Sequence, residues 1–467
     1  MTTTAADSGT RPLAGHLRAL TGLRVVAAVW VVVFHFHFTA LPGMADVVKV
    51  AGPVVTTGAL GVDLFFVLSG FVIAYTYLDA LGPAVHVRAA ARFVWARAAR
   101  LWPAYVVVFN LFGVWVLARY LFGHDGVVAF QSVQPVVSVG EWVRQLFMVQ
   151  LWDHSFFDGA SWVGSTWSIS AEWLAYLLFP LAAPMVHRIR RLPVPVLAVV
   201  ALALMAPMAW AYLALGSPYY PWSWVTRILC GFGAGVLVCV IVRRIRVTPR
   251  ARRVASHVAN GGVVAIVAGL WVGERVAPGR GGVVIVLFPV LIGALALADG
   301  GVARLLSSRA FVAGGRASYS LYLVHIPIFE VYWLAMAYVS ALWQPTVAAH
   351  LVGLAVLALT GPTAWALHRW VEEPGSRWMR ALPARLAIRH NRAGRATLHT
   401  SPGGGPSRDR RPPLGTHPVA AGPTVSYGPP RQRRPRHAAA LGVPSALVTT
   451  GAPVAGGRHA RRPATGV

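Results

Sequence analysis

The sequence predicts an all-α, polytopic membrane protein with about ten transmembrane helices and both termini in the cytoplasm. The first observation is composition: 56% of the residues are hydrophobic and only 12% are charged, whereas a soluble domain carries about 25% charged residues. The second is the recurrence of apolar runs long enough to cross a hydrocarbon core of about 30 Å. The third is the placement of arginine, which dominates a net charge of +27. In a soluble protein that charge would suggest nucleic acid, but here it falls between apolar runs, so no nucleic-acid partner is expected.

Ten apolar runs of spanning length define the predicted membrane domain, residues 20–378. A polar N-terminal segment, 1–19, precedes it. Residues 390–467 are rich in Gly, Pro and Arg without periodicity, a composition that predicts a disordered, basic cytoplasmic tail. The predicted spans are 20–40, 56–78, 101–122, 165–186, 192–215, 222–242, 254–272, 281–298, 318–340 and 346–371.

Alternate connections between these spans differ in charge, and this difference predicts the orientation. Cytoplasmic loops carry an excess of Lys and Arg, so the arginine-rich set is expected in the cytoplasm, with both termini. We expect the protein to lie in the plasma membrane. The arginine-rich connections contain Arg88, Arg92, Arg97, Arg100, His187, Arg188, Arg190, Arg191, Arg243, Arg244, Arg246, Arg250, Arg252, Arg253, Arg304, Arg309 and Arg316.

The longest connection of the other set, 123–164, is rich in tryptophan. Tryptophan is enriched where membrane meets water, so an interfacial belt is the favoured interpretation. A substrate groove is the alternative. The side chains concerned are Trp142, Trp152, Trp162 and Trp167.

The first span contains two ionisable residues, Arg24 and His35, eleven positions apart. At about 100° per residue they lie on one helix face, roughly 16 Å apart along the axis. Ionisable groups inside a membrane helix mark a functional site by default. His35 is therefore predicted to act as a base. The alternative is that Arg24 reaches the membrane surface and His35 makes a helix–helix hydrogen bond. His37 is about 200° around the helix and is expected to face elsewhere.

Two carboxylates are predicted at a depth similar to that of His35. Asp63 lies near the start of the second span and Glu172 near the start of the fourth. Either could orient or charge an imidazole, although Asp63 could instead be an acid at the membrane interface. Ser69 and Gly70 follow in the second span and predict close helix packing. Ser69 is also a conceivable nucleophile.

Arg97 and Arg100 stand at the start of the third span with i, i+3 spacing, which places both guanidinium groups on one helix face. Such a pair can fork onto phosphate. The alternative is that they only determine topology. At the other end of the chain, Glu372 and Glu373 close the last span and could pair with nearby arginines.

The ninth span places three polar side chains on one face by i, i+4, i+7 spacing: Ser318, Tyr322 and His325. They are candidates for substrate binding or support, and His325 could instead be structural near the Pro327 kink. No zinc-ligand pattern is present, so no metal is expected.

Several of these motifs occur in a fixed order. They are Leu20-Thr-Gly-Leu-Arg24 with His35, the Gly61–Phe71 run, Arg-x-x-Arg-Leu-Trp-Pro, Trp-Ser-Ile-Ser-Ala-Glu, Ser-Tyr-Ser-Leu-Tyr-Leu-Val-His and Val-Glu-Glu-Pro. Together, over about residues 16–378, they resemble the integral-membrane acyltransferase family 3, bacterial O-acyltransferases that modify surface polysaccharides and some macrolides. The chain departs from that family in having Thr21 where aspartate is usual, and one acid at Glu172 where two are common.

The resemblance implies ten spans, a cytoplasmic acyl-CoA donor, and essential residues at Arg24, His35, Arg97 and Arg100. Acetyl-CoA is the expected donor, and the acceptor is a hydroxyl of a glycan, glycolipid or secondary metabolite. Arg97 and Arg100 would hold the nucleotide phosphates, with Arg24 further in. His35 would act as general base, oriented by Asp63 or Glu172. The alternative function is a transporter or flippase for an acylated lipid or glycan.

Overall fold

The computed structural model describes residues 17–123 and 128–383, and this part of the chain is helical, with no strand. Nine helical segments within it are long and apolar enough to cross a membrane. The all-α, polytopic prediction is therefore confirmed. The predicted basic tail, 390–467, and residues 1–16 of the N-terminal segment lie outside the described residues.

The α-helices are numbered along the described chain. Short 3₁₀ turns precede α6 at Gly164–Thr166 and α11 at Gly281–Leu287, and α14 continues through a π-helical turn at His368–Glu372 to Pro383. The bounds are α1 Leu17–Phe36, α2 Met44–Thr56, α3 Leu60–Leu81, α4 Val87–Phe122, α5 Val139–Leu146, α6 Trp167–Ile189, α7 Val194–Ala203, α8 Ala206–Leu215, α9 Ser223–Val242, α10 Pro249–Val276, α11 Phe288–Leu297, α12 Val302–Leu306, α13 Arg309–Tyr338 and α14 Val347–Leu367.

Two helices begin well before the predicted spans. The third span was expected from residue 101, but α4 begins at Val87 and is 36 residues long, or about 54 Å at 1.5 Å per residue. Likewise α13 begins at Arg309. Hydropathy marks only the part of a helix that lies in lipid, whereas Ala and Arg are strong helix formers that extend it further. As a result Arg97 and Arg100 lie well inside α4 and not at its start.

The predicted eighth span is the shortest of the ten. The segment Gly281–Leu297 has seven residues of 3₁₀-helix followed by ten of α-helix. Because a 3₁₀-helix rises about 2.0 Å per residue, the segment is roughly 29 Å long. It falls just short of a core of about 30 Å and is not among the nine segments long enough to span by length and composition, so the tenth span stays a prediction.

Glycine allows two pairs of helices in the core to pack very closely. A Cβ atom at Gly70 of α3 would lie 2.0 Å from the carbonyl oxygen of Phe232 in α9, and one at Gly235 would lie 1.9 Å from that of Val67. Between α1 and α13, a Cβ at Gly315 would lie 1.9 Å from the carbonyl oxygen of Thr21. Small residues let membrane helices approach this closely, so the packing predicted at Ser69-Gly70 is confirmed. The two contacts fix the registers of α1 with α13 and of α3 with α9.

Candidate active site

Helices α1, α3, α4, α6 and α13 line a cavity of about 100 Å³, here called the arginine cavity. Three of its lining residues are Arg24, Arg97 and Arg100, so the structure brings together the three cations that the sequence analysis singled out. Predicted site residues Ser69, Glu172, Ser318 and Tyr322 also line it.

Two of the arginines are held by neighbouring side chains. Arg97 donates a 2.7 Å hydrogen bond to the Tyr77 hydroxyl and lies 4.8 Å from the centre of that ring. Arg100 forms an ion pair with Glu372, a buried carboxylate that also accepts a 2.6 Å hydrogen bond from the Ser320 hydroxyl. The expected pairing of the membrane-exit acids with arginine is confirmed at Glu372.

The cavity keeps an excess of positive charge. Within the described residues, the Nε atoms of Arg24 and Arg97 are buried and have no hydrogen-bond partner. One carboxylate, Glu172, lines the cavity against three guanidinium groups, and Glu372 neutralises only Arg100. Unpartnered guanidinium donors in a concave site suit a phosphate or carboxylate ligand.

Glu172 is hydrogen-bonded to two other residues that line the arginine cavity. Its Oε1 accepts hydrogen bonds from the Ser69 hydroxyl at 2.6 Å and from the Tyr176 hydroxyl at 2.5 Å. These two hydroxyls are themselves 3.0 Å apart. Glu172 is therefore a neighbour of the arginines, and it does not line the cavity that contains His35.

A second cavity of about 370 Å³, here called the histidine cavity, is lined by His35 and by aromatic rings. It shares two lining residues with the arginine cavity, Val62 and Tyr322. The Tyr322 hydroxyl is fixed by 2.6 Å contacts to the Ser165 carbonyl oxygen and to the Ser168 hydroxyl. The two cavities therefore meet at a fixed tyrosine and one valine.

The partner of His35 is a second histidine. Nδ1 of His35 lies 3.0 Å from Nε2 of His325, and both imidazoles are buried. The edge of the Phe130 ring covers His35, with 4.8 Å between ring centres. Because Nδ1 of His35 is engaged by His325, Nε2 is the nitrogen left for a ligand.

The carboxylate contact expected for His35 is not formed. Asp63 instead accepts from Arg227 of α9, at 2.9 Å from Nε and 2.8 Å from Nη2, and both side chains are at most 2% exposed. A carboxylate held by this two-pronged ion pair is not available to an imidazole. Among the described contacts His35 therefore pairs with His325, and a catalytic part for Asp63 or Glu172 stays a prediction.

Two residues that the sequence analysis missed shape the histidine cavity. Arg227 carried the same signal as Arg24, a single cation in an apolar run. Glu330 of α13 is fully buried and accepts backbone N–H groups of Ala129 and Phe130 at 2.9 and 2.8 Å. It thereby holds the loop that covers His35, and its signal was a single acid in the predicted ninth span.

Two of the four tryptophans singled out in the sequence face the protein interior: Trp162 in the 123–164 connection and Trp167 at the first position of α6. Trp167 lines the histidine cavity and stacks on Phe157 at 4.7 Å, and Trp162 is only 6% exposed. The interfacial-belt interpretation is therefore wrong for these two side chains, because they pack against protein. For Trp167 the substrate-groove alternative fits.

Comparison with known proteins bears on this geometry. The family profile described as an acyltransferase domain, acyltransferase 3, matches residues 17–368. Acyltransferase MdmB from Streptomyces mycarofaciens is 29% identical over 390 residues, covering 78% of this chain and 92% of that protein. Putative peptidoglycan O-acetyltransferase YrhL from Bacillus subtilis (strain 168) is 28% identical over 176 residues, 36% of this chain and 23% of that protein. No solved structure matches the chain.

The matched range contains both cavities almost entirely, from Arg24 in α1 to His325 in α13, and it covers well over half of the chain. The resemblance seen in the sequence motifs is thus confirmed. The chain belongs to the acyltransferase 3 family, and it is a multi-pass membrane O-acyltransferase.

Proposed function

We propose that the protein transfers an acetyl group from cytoplasmic acetyl-CoA to a hydroxyl of an acceptor that enters the histidine cavity. The observation that carries this proposal is the meeting of two different cavities at Val62 and Tyr322. One supplies three guanidinium groups suited to the phosphates of a nucleotide donor. The other supplies an imidazole with one free nitrogen.

In the proposed reaction His35 is the general base. With His35 donating from Nδ1–H to Nε2 of His325, Nε2 of His35 accepts the proton of the acceptor hydroxyl as its oxygen attacks the thioester carbonyl. The carbon–sulfur bond then breaks, and the thiolate of coenzyme A takes that proton from the imidazolium. No acyl-enzyme is needed in this route. His325 is a positioning residue that selects the tautomer of His35.

The proposed orientation of the protein in the membrane rests on the arginine-rich connections between its helices. These connections are assigned to the cytoplasm by the positive-inside rule, which leaves both termini in the cytoplasm of a plasma-membrane protein. Arg97 and Arg100 lie in the part of α4 that follows one such connection, ahead of the apolar run that begins at residue 101, so the donor would enter from that side. The acceptor would be a glycan, a glycolipid or a secondary metabolite, and the similarity to a Bacillus protein described as a putative peptidoglycan O-acetyltransferase supports O-acetylation.

Transfer of radiolabel from acetyl-CoA tests the proposal. Membranes containing the protein are supplied with labelled acetyl-CoA and with lipid and glycan extracts, and the His35→Ala variant at equal abundance serves as the control. Label is expected in a hydroxyl ester only with the unaltered protein. A transporter or flippase would bind or move its cargo without making a labelled ester, and that result would contradict the proposal.

A further inference from the structure

The histidine cavity contains a buried cation with one donor group unused. Arg227 is 1% exposed, and Asp63 engages its Nε and Nη2 atoms. Its Nη1 atom is buried and has no hydrogen-bond partner among the described residues, and Arg227 lines the cavity. A buried donor left without a partner is costly, so this N–H group is ready to bind an oxygen atom of a ligand.

Aromatic side chains fix the guanidinium plane. Its central carbon lies 5.0 Å from the ring centre of Trp167 and 5.8 Å from that of Tyr219, and both rings line the same cavity. Stacking on aromatic faces together with a two-pronged carboxylate leaves the planar fork little freedom. The free N–H of Arg227 is thus preorganised before any ligand arrives.

The charge of the cavity selects against anions. Asp63 cancels the charge of Arg227 through the ion pair. The other charged residue that lines the cavity is Asp158, whose Oδ2 accepts from the Ser132 hydroxyl and, at 3.1 Å, from the Val133 N–H. The other titratable residues that line the cavity are His35, Tyr219 and Tyr322. The charge of Arg227 is cancelled by Asp63, whereas no cation cancels that of Asp158 among the residues that line the cavity. The cavity therefore repels an anionic ligand.

Resting on the proposed function, we infer that Arg227, held by Asp63, binds the acceptor: its Nη1–H donates to an oxygen of an uncharged, hydroxyl-bearing ring that lies against the aromatic walls. Arg227 thereby orients the acceptor while His35 removes the proton of the reacting hydroxyl. Its guanidinium has a function unlike that of Arg24, Arg97 and Arg100, which face the donor.

Steady-state transfer of labelled acetyl groups in lipid nanodiscs tests this inference. The probes are octyl β-D-glucopyranoside, which is neutral, and octyl β-D-glucuronide, which carries a carboxylate on the same ring. Arg227→Lys keeps a charge beside Asp63 but loses the planar fork, so we expect the KM for the neutral glycoside to rise about tenfold or more with the KM for acetyl-CoA unchanged. Arg275→Lys is the matched control, because Arg275 is exposed and lines neither cavity.

A second variant tests the charge argument without disturbing the arginine. Asp158→Asn keeps the shape of the side chain and removes its charge, so the ratio of kcat/KM for the glucuronide to that for the glucoside should rise threefold or more.

The possible failures are distinct. If Arg227→Lys leaves the acceptor KM unchanged, or raises the acetyl-CoA KM as much, the inference is overturned. An unaltered protein that binds acetyl-CoA but acetylates neither glycoside overturns the acceptor class. Absence of acetyl-CoA binding by the unaltered protein would instead overturn the proposed function. Unchanged melting temperature of each variant shows that loss of fold is not the cause.

Discussion

The two cavities both contain buried arginine, but the arginines are paired in opposite ways. In the arginine cavity, three guanidinium groups face one lining carboxylate, and two Nε atoms lack a partner. In the histidine cavity, Arg227 is matched one to one with Asp63. Buried charge is expensive unless it is paired, so the unmatched cavity is built for an anion and the matched one is not. The function of a membrane-embedded arginine therefore depends on which acid faces it.

The pair of histidines is a second difference between the two cavities. His35 and His325 come from α1 and α13, whose register is fixed where Gly315 meets Thr21. No carboxylate contacts His35 among the described contacts, so its orientation depends on a second imidazole, that of His325. The proposed division between an arginine cavity that binds the donor and a histidine cavity that holds the base yields predictions that separate the two cavities.

The largest expected effect is on the histidine side. A general base contributes about 10²–10⁴-fold to rate, so His35→Ala should lower kcat by at least a hundredfold in the label-transfer assay. His37→Ala is the matched control, since its Nδ1 contacts the Phe34 carbonyl oxygen and it lines neither cavity. If His37→Ala inactivates the enzyme and His35→Ala does not, the assignment of the base is wrong.

Substitution of an arginine in the arginine cavity should weaken the binding of acetyl-CoA. A charge-assisted contact to phosphate is worth about 1.5–3 kcal/mol, so Arg97→Ala should raise the acetyl-CoA KM roughly tenfold to a hundredfold. Arg97→Lys should rescue only part of this loss, because it lacks the fork. The control on the same helix is Arg92→Ala, whose side chain is exposed and bonds only the Arg88 carbonyl oxygen. If Arg97→Ala leaves the acetyl-CoA KM unchanged, Arg97 only determines the topology of the helix in the membrane.

A smaller effect is expected at His325. His325→Ala removes the partner of His35 Nδ1 and should lower kcat about tenfold, whereas His325→Gln, which offers an acceptor atom in a similar place, should recover part of the rate. The acetyl-CoA KM should not change in either variant. The kcat-against-pH profile distinguishes a positioning residue from a structural one, since only the former shifts the low-pH limb, where protonation of His35 removes the base.

The smallest effect is expected from the basic tail. Truncation after residue 392 removes only a segment beyond every motif, so specific activity per amount of membrane protein should stay within about twofold if the tail is low in structure, as its composition predicts. A tenfold loss at equal abundance would assign the tail a part in the reaction.

The sequence was sufficient to predict the helical spans and the three cations that line the arginine cavity. Arg24, Arg97 and Arg100 were recognisable because a cation in or beside an apolar run is rare and costly. Helix spacing likewise placed Ser318, Tyr322 and His325 on one face. These signals are local, so periodicity and composition capture them.

The pairings across helices could not be predicted in the same way. Asp63 and Arg227 are 164 positions apart, and His35 and His325 are 290 apart. Which side chains meet depends on how far one helix slides along another, and that is set by contacts such as Gly70 against Phe232. A shift of one turn, about 5.4 Å, would have given His35 a different neighbour. This is why a carboxylate was expected where a histidine lies.

The division into two cavities is tested most directly by calorimetric binding of acetyl-CoA to the purified His35→Ala and Arg97→Ala variants in nanodiscs. If donor phosphates bind in the arginine cavity and the base lies in the other, His35→Ala should bind acetyl-CoA with a Kd within about twofold of the unaltered protein while transferring no acetyl group. Arg97→Ala should bind it roughly tenfold more weakly or worse. An equal loss of acetyl-CoA affinity in both variants would indicate one undivided site and would contradict this account.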